Sequence, residues 1–303
     1  MTRIRAELVA LLFCLSVSVN VYAQATPAEV VKKQKGMAED QIMTAKLGKL
    51  ANIETDSLLV YSTLTQDKLK PMAEFAEKVF GTTMAALKYD DKKKPWPGKL
   101  TVYVLPERTK EYIPFVKLVE QRSGKIDAEE SFSMRLRGDE PSVTVGLASS
   151  MKYTDAAMRE ETGKSIAAAM LDQKAGAPAV PFSLPTWLQE GFAKAMLNKT
   201  EPTGKAAQAH RAKVAALFTK SKVSTFAASD SWGDTKNLNT PPLQTSLVEF
   251  MVFGPEPAKF EKLLNGFKPS DDNREPNSVS ALTGVEWKPD DLDVAWKKWM
   301  MKK

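Results

Sequence analysis

The chain has 303 residues, 43 of them Lys or Arg and 37 Asp or Glu, with 43% hydrophobic, which suits one large domain or two closely packed halves around a buried core. Its +6 excess is dispersed apart from Lys92-Lys93-Lys94 and Lys302-Lys303. No basic stretch interleaves with aromatic residues, and this argues against nucleic-acid binding. One cysteine, Cys14, and one histidine, His210, leave no material for a disulfide framework or a His-rich metal centre.

Residues 1–25 read as an export signal, with Arg3 and Arg5 ahead of an apolar run from Leu8 to Val21 and small residues at Ala23 and Ala25 for cleavage. Ser16, Ser18 and Asn20 interrupt that run, and a membrane span wants roughly 20 predominantly apolar residues. The expectation is therefore a periplasmic or secreted protein with no membrane span after cleavage. Cys14 falls inside the signal, and Phe13 stands where a lipid-modified cysteine would want a small residue. Residues 26–52 are polar and Lys-rich, and are expected as a flexible leader or short surface helix.

Residues 53–150 carry the strand signals. Ser57 to Ser62 is a compact β-branched and aromatic run, and apolar residues from Leu69 to Met84 then recur at helical spacing. After the Pro95-Trp96-Pro97-Gly98 turn, Lys99 to Leu105 reads as a strand and Thr109 to Gln121 as a helix. Ser131 to Arg137 and Ser142 to Leu147 alternate around Gly138-Asp139-Glu140-Pro141, the pattern of a hairpin. Residues 151–303 read as helical over 154–171, 185–197, 204–218, 243–253, 257–264 and 290 onward, with Thr225 to Pro242 a surface loop by composition. The fold class expected is α+β, a small N-terminal mixed sheet with helices followed by a mostly helical half.

The helix near 154–171, followed by Pro185-Thr186-Trp187-Leu188-Gln189-Glu190-Gly191-Phe192-Ala193, resembles the peptidase MA family of gluzincin metallopeptidases. The resemblance extends loosely from Ser57 to Trp299; only Pro185 to Ala193 is specific. It implies a gluzincin-like fold in which the first helix carries His-Glu-x-x-His, and the Glu of Trp-Leu-x-Glu-Gly is the third zinc ligand. By this correspondence Glu190 is that ligand, beside Trp187 in the cleft. Glu160 and Lys164 replace the two histidines, and Glu161 stands at the general-base position.

That departure decides the expected chemistry. A protonated lysine has three donors and no lone pair, so it repels a cation rather than ligating it, and carboxylates without imidazole or thiolate are a poor set for zinc. Zinc is accordingly expected to be lost, with no cofactor retained. Glu160 and Lys164 are four apart with the acid first, a pairing worth about 0.2–0.5 kcal/mol when exposed. If Lys164 also reaches Glu190, its ammonium stands where the ion stood. No tyrosine follows Tyr153 to stabilise an oxyanion, and His210, in a polar stretch, reads as a surface residue.

Three functions follow. The first is an inactive pseudopeptidase that binds a peptide or cell-envelope component through the old cleft; the second is a hydrolase with a carboxylate-bound metal and Glu161 as base. The third is an interaction protein with a chance motif, in which Arg159, Glu160, Glu161 and Lys164 are a solvated helix face, Gln189, Glu190 and Lys194 point to water, and Trp187, Leu188, Phe192 and Met196 form core.

Overall fold

Five strands in the order β1-β2-β3-β5-β4 build one mixed sheet: β1 (Ala51–Glu54), β2 (Leu58–Ser62), β3 (Leu100–Val104), β4 (Phe132–Arg135) and β5 (Ser142–Val145). The three central strands are parallel, with Val60 opposite Val102 and Val102 opposite Val143, and the two edge strands run antiparallel to them. This computed structural model describes residues 26–90, 92, 94–136, 140–177, 184–223, 240–271, 273–274 and 276–302. The export signal, Cys14, the Gly138-Asp139 turn and most of the loop expected from Thr225 to Pro242 lie outside them.

Both faces of the sheet are covered, which is why β2 and β3 are buried along their whole length. Leu58, Val60, Leu100, Val102, Val104, Val143 and Val145 point into the larger core with α2 (Gln66–Ala86) and α4 (Asp155–Ala175). Leu59, Tyr61, Tyr103 and Leu105 point the other way into a smaller core with α1 (Pro27–Thr44) and α3 (Ile113–Val119). A π-helical turn, Arg108–Tyr112, leads into α3.

The segment expected as a flexible leader or short surface helix is the helix α1 followed by the start of β1, both built into the fold. Thr26 and Glu29 form a capping box that satisfies the first backbone donors of α1. Buried Gln34 clamps the sheet by donating to the Lys99 carbonyl at 2.9 Å while accepting from the Lys99 N–H at 3.0 Å. Ala38 and Ile42, one turn apart, fill the smaller core.

Among the described residues six further helices follow α4: α5 (Thr186–Thr200), α6 (Lys205–Leu217), α7 (Thr240–Phe253), α8 (Ala258–Gly266), α9 (Ser278–Gly284) and α10 (Pro289–Met300). The short α9 is the one helix here without a sequence expectation. Asn277 caps it by accepting from the Ser280 N–H at 2.9 Å. The larger core continues without a break from the sheet through α4, α5 and α7 to Trp296 of α10. The α+β architecture therefore holds both halves around shared apolar packing. No helix among the described residues is long and apolar enough to cross a membrane.

Close approach of α2, α4 and α5 needs Gly163: a Cβ there would lie 2.5 Å from a Leu197 methyl and 3.0 Å from the Phe75 ring. Gly191 does the same for α5 and α7, since its Cβ would meet Val248 at 2.8 Å and the Gln244 carbonyl oxygen at 3.2 Å. These two contacts set the spacing of the helices that carry the site.

Candidate functional site

Helix α4 begins at Thr154, whose hydroxyl accepts from the Ala157 N–H at 3.0 Å, and ends at Gly176 in the left-handed conformation. Its middle turns run against α5, and there the charged residues of both helices meet. Lys164 Nζ lies 3.0 Å from Glu190 Oε2 and 3.2 Å from Glu161 Oε1, so one ammonium bridges carboxylates from two helices. The Glu161 side chain is only 4% exposed and that of Glu190 is 32% exposed. Glu161 also accepts from the Ser131 hydroxyl, which the start of β4 brings across the helix.

Burial works against the charge on Lys164, but the adjacent Glu190 and Glu161 carboxylates more than offset it. Together they hold the lysine above its ordinary pKa. The ammonium is therefore a permanent cation at neutral pH. Each Glu161 oxygen faces a donor: both accept from Lys164 and one also from Ser131.

Glu160 makes a different pair from the one expected. Lys194 of α5 donates to it, so the Glu160–Lys164 contact within α4 gives way to a bridge between helices. Glu160 and Lys164 share a face of α4, and the partners come from α5, which sets Lys194 against Glu160 and Glu190 against Lys164. The solvated-face alternative fails for Glu161, which is buried, and Lys164, which is largely so, while Glu160 and Glu190 keep contact with water beside their ion pairs. Gln189 donates to Asp172 at 2.7 Å, and Glu190 and Lys194 are both held in ion pairs.

Trp187 is not in the cleft. It is almost completely buried, and its indole N–H donates to the Ser278 hydroxyl at 2.9 Å, tying α5 to α9. His210 is also corrected: it is buried rather than a surface residue, with Nε2 3.7 Å from Glu249 Oε1. Ala207, His210 and Val214 form the buried stripe of α6 at helical spacing, and this places the imidazole inward.

A cavity of about 440 Å³ opens beside the ion-pair cluster between α4, α5, α6 and α7. Glu160, Lys164, Glu190 and Lys194 form one wall, with His210, Lys213, Pro241, Pro242 and Gln244 across from them. Gln244 is buried, and among the described residues its side-chain oxygen has no hydrogen-bond partner. An unpaired buried amide oxygen costs about 1–3 kcal/mol. Ser131, Lys194, Lys213 and Gln244 were not legible as site residues, because each comes from a different turn or element and forms no spaced motif with the others.

A second buried carboxylate, Asp172, lies about three turns further along α4 from Glu161. Burial pushes Asp172 up to about 6, partly opposed by the hydrogen bond from Gln189. It has an amide for a neighbour, where Glu161 has an ammonium.

At the positions that the resemblance equates with zinc ligands, this chain presents two carboxylates already in ion pairs and one ammonium. That donor set does not fit zinc, which takes imidazole, thiolate or open carboxylate oxygens. No family model matches the chain, and no curated protein matches it.

Proposed function

We propose that this chain is an exported peptidase-MA-like pseudopeptidase, periplasmic or secreted, that binds a peptide or cell-envelope component through the cleft where a gluzincin would cut one. The single observation that carries this reading is the position of Lys164 Nζ, 3.0 Å from Glu190 and 3.2 Å from Glu161. Its ammonium supplies fixed positive charge between acids that in a zinc peptidase would face the ion. The scaffold keeps its shape because an ion pair replaces metal coordination as the link between α4 and α5. Binding outlasts catalysis in such a case because function resides in a few side chains grafted on the fold.

The carboxylate-bound-metal hydrolase finds less support. A general base must take a proton from water, yet both oxygens of Glu161 already accept hydrogen bonds and its side chain is 4% exposed. Elemental analysis and a peptide-hydrolysis assay on the same purified sample test the proposal. The expected result is substoichiometric metal and no cleavage. Stoichiometric bound metal, with cleavage abolished by Glu161→Gln, would overturn it.

A further inference from the structure

Ser131, whose hydroxyl caps the Glu161 carboxylate, ends a surface segment that leaves α3. Residues 121–130 run along the outside of the molecule, and Ile126 is the one buried side chain among them. The chain turns into this segment through left-handed backbone at Gln121 (φ 55°) and Gly124 (φ 93°). A stretch that buries so little apolar surface takes its position from polar contacts, and belongs to the part of a fold that opens most readily.

Those contacts converge on one residue. The Arg108 guanidinium donates to the carbonyls of Asp127 and Glu130 in the segment, and to that of Leu147, just past β5, at 3.1 Å. It thereby ties the segment to the sheet. A guanidinium presents its donors in a fixed plane, so three acceptors set both its place and its direction. From the same π-helical turn Tyr112 donates to the Glu130 carboxylate at 2.7 Å, and Arg122 donates to the same oxygen, also at 2.7 Å. Glu130 is thus held at its carbonyl and at its carboxylate, and Ser131 follows it, with its own carbonyl accepting from the Gly146 N–H at 2.8 Å.

We infer that residues 121–131 form a strap over Glu161 and that Arg108 is its clasp: while the clasp holds, Ser131 covers the carboxylate, and its release opens the site from the β4 side. With the strap closed, the Glu161 oxygens face Lys164 and Ser131, and the side chain is 4% exposed. With it open, Glu161 keeps Lys164, loses its hydroxyl donor and meets water. Arg108 touches no charged group of the site and acts through Ser131, as a positioning residue. The inference rests on the binding reading above and names what controls access to the inner wall of that cleft.

The test is carboxyl footprinting of the full chain with a water-soluble carbodiimide and glycinamide, read residue by residue by tandem mass spectrometry. In the native chain Glu190, 32% exposed, should label readily and Glu161 hardly at all. Arg108→Met should raise the labelling rate of Glu161 about tenfold, the fold-change equivalent of one hydrogen bond from a charged donor. Asp172, buried on the same helix, should stay as slow as before and is the control for general loosening. Arg108→Lys should recover part of the protection, since an ammonium reaches one carbonyl but does not span three.

An unchanged Glu161 rate in Arg108→Met overturns the inference. So does a parallel rise at Asp172, which would mean that Arg108 stabilises the fold as a whole rather than the strap. If Arg108→Met does not fold, hydrogen exchange of the native chain decides. The Ser149 N–H, which donates to the Ala128 carbonyl in the strap at 2.7 Å, should exchange well before the amides of α4, and exchange in step with α4 overturns the strap. Failure of the pseudopeptidase reading shows separately, as bound metal with peptide cleavage, and leaves the labelling result unaffected.

Discussion

Two buried acids on α4, Glu161 and Asp172, are held by opposite means. Glu161 shares the Lys164 ammonium with Glu190 and accepts a hydroxyl from Ser131, so its surroundings compensate a negative charge. Asp172 has the Gln189 amide, and burial pushes it up to about 6. Both are nearly absent from the surface. The comparison teaches that the neighbour matters as much as burial: at Asp172 a neutral amide leaves the cost of burying a charge standing, whereas at Glu161 an ammonium sits against it.

The largest test of that contrast is Lys164→Met. It leaves Glu161 buried without its cation, and removing one partner of a buried pair costs about 3–5 kcal/mol. Urea unfolding at neutral pH should show a loss of that order, and a loss below about 1 kcal/mol would mean that the pair carries little. Adding Glu190→Gln should cost less in the Lys164→Met background than in the native chain. Additive effects would show that the two groups are not coupled.

Asp172→Asn should act in the reverse direction. The aspartate titrates near 3.8 when unfolded and about 6 when folded, so the native state binds the extra proton between those values. Stability is therefore lost as pH rises through that window. The substitution keeps the size of the side chain and removes the charge, and should raise stability by about 3 kcal/mol at pH 7.5. In thermal melts across a pH series, the advantage should shrink toward pH 4. A constant gap would mean that the charge is not its cause.

Ser131→Ala should cost about 1.5–3 kcal/mol by removing a hydroxyl donor to a charged, buried acceptor. Guanidinium unfolding measures it, and the loss should exceed that of the Glu190→Gln single variant. That last change should be the smallest, about 1 kcal/mol or less, because the Glu190 side chain is 32% exposed and solvent screens its pairing. A larger effect from Glu190→Gln than from Ser131→Ala would invert the ranking of burial over exposure on which the contrast rests.

Local pattern was enough for most of the fold. Runs such as Leu58 to Ser62 and Leu100 to Val104, and the helical spacing of Leu69 to Met84, each appear as the expected element. At 26–52 composition left leader and short helix both open: lysines concealed the Thr26–Glu29 capping box and the Ala38, Ile42 stripe, both of which were present to be read. At the site, the motif spacing singled out Lys164 and Glu190, which meet, and Glu160, which pairs elsewhere. Trp187 is core, as its packing role required, rather than part of the cleft, and His210 was misread because a residue type does not tell which face of a helix its neighbours will cover.

By itself, the order of residues determined the alternation of strand and helix, the halves in which each predominates, and the absence of imidazole from the α4 motif. Those properties depend on periodicity and residue type, which are local. Only the tertiary structure decided that Lys164 bridges two helices, that Ser131 reaches Glu161, and that Gln244 and Lys213 share a cavity. Such contacts join side chains that are distant in the chain, and their distances are set by how closely α4, α5 and α7 pack at Gly163 and Gly191.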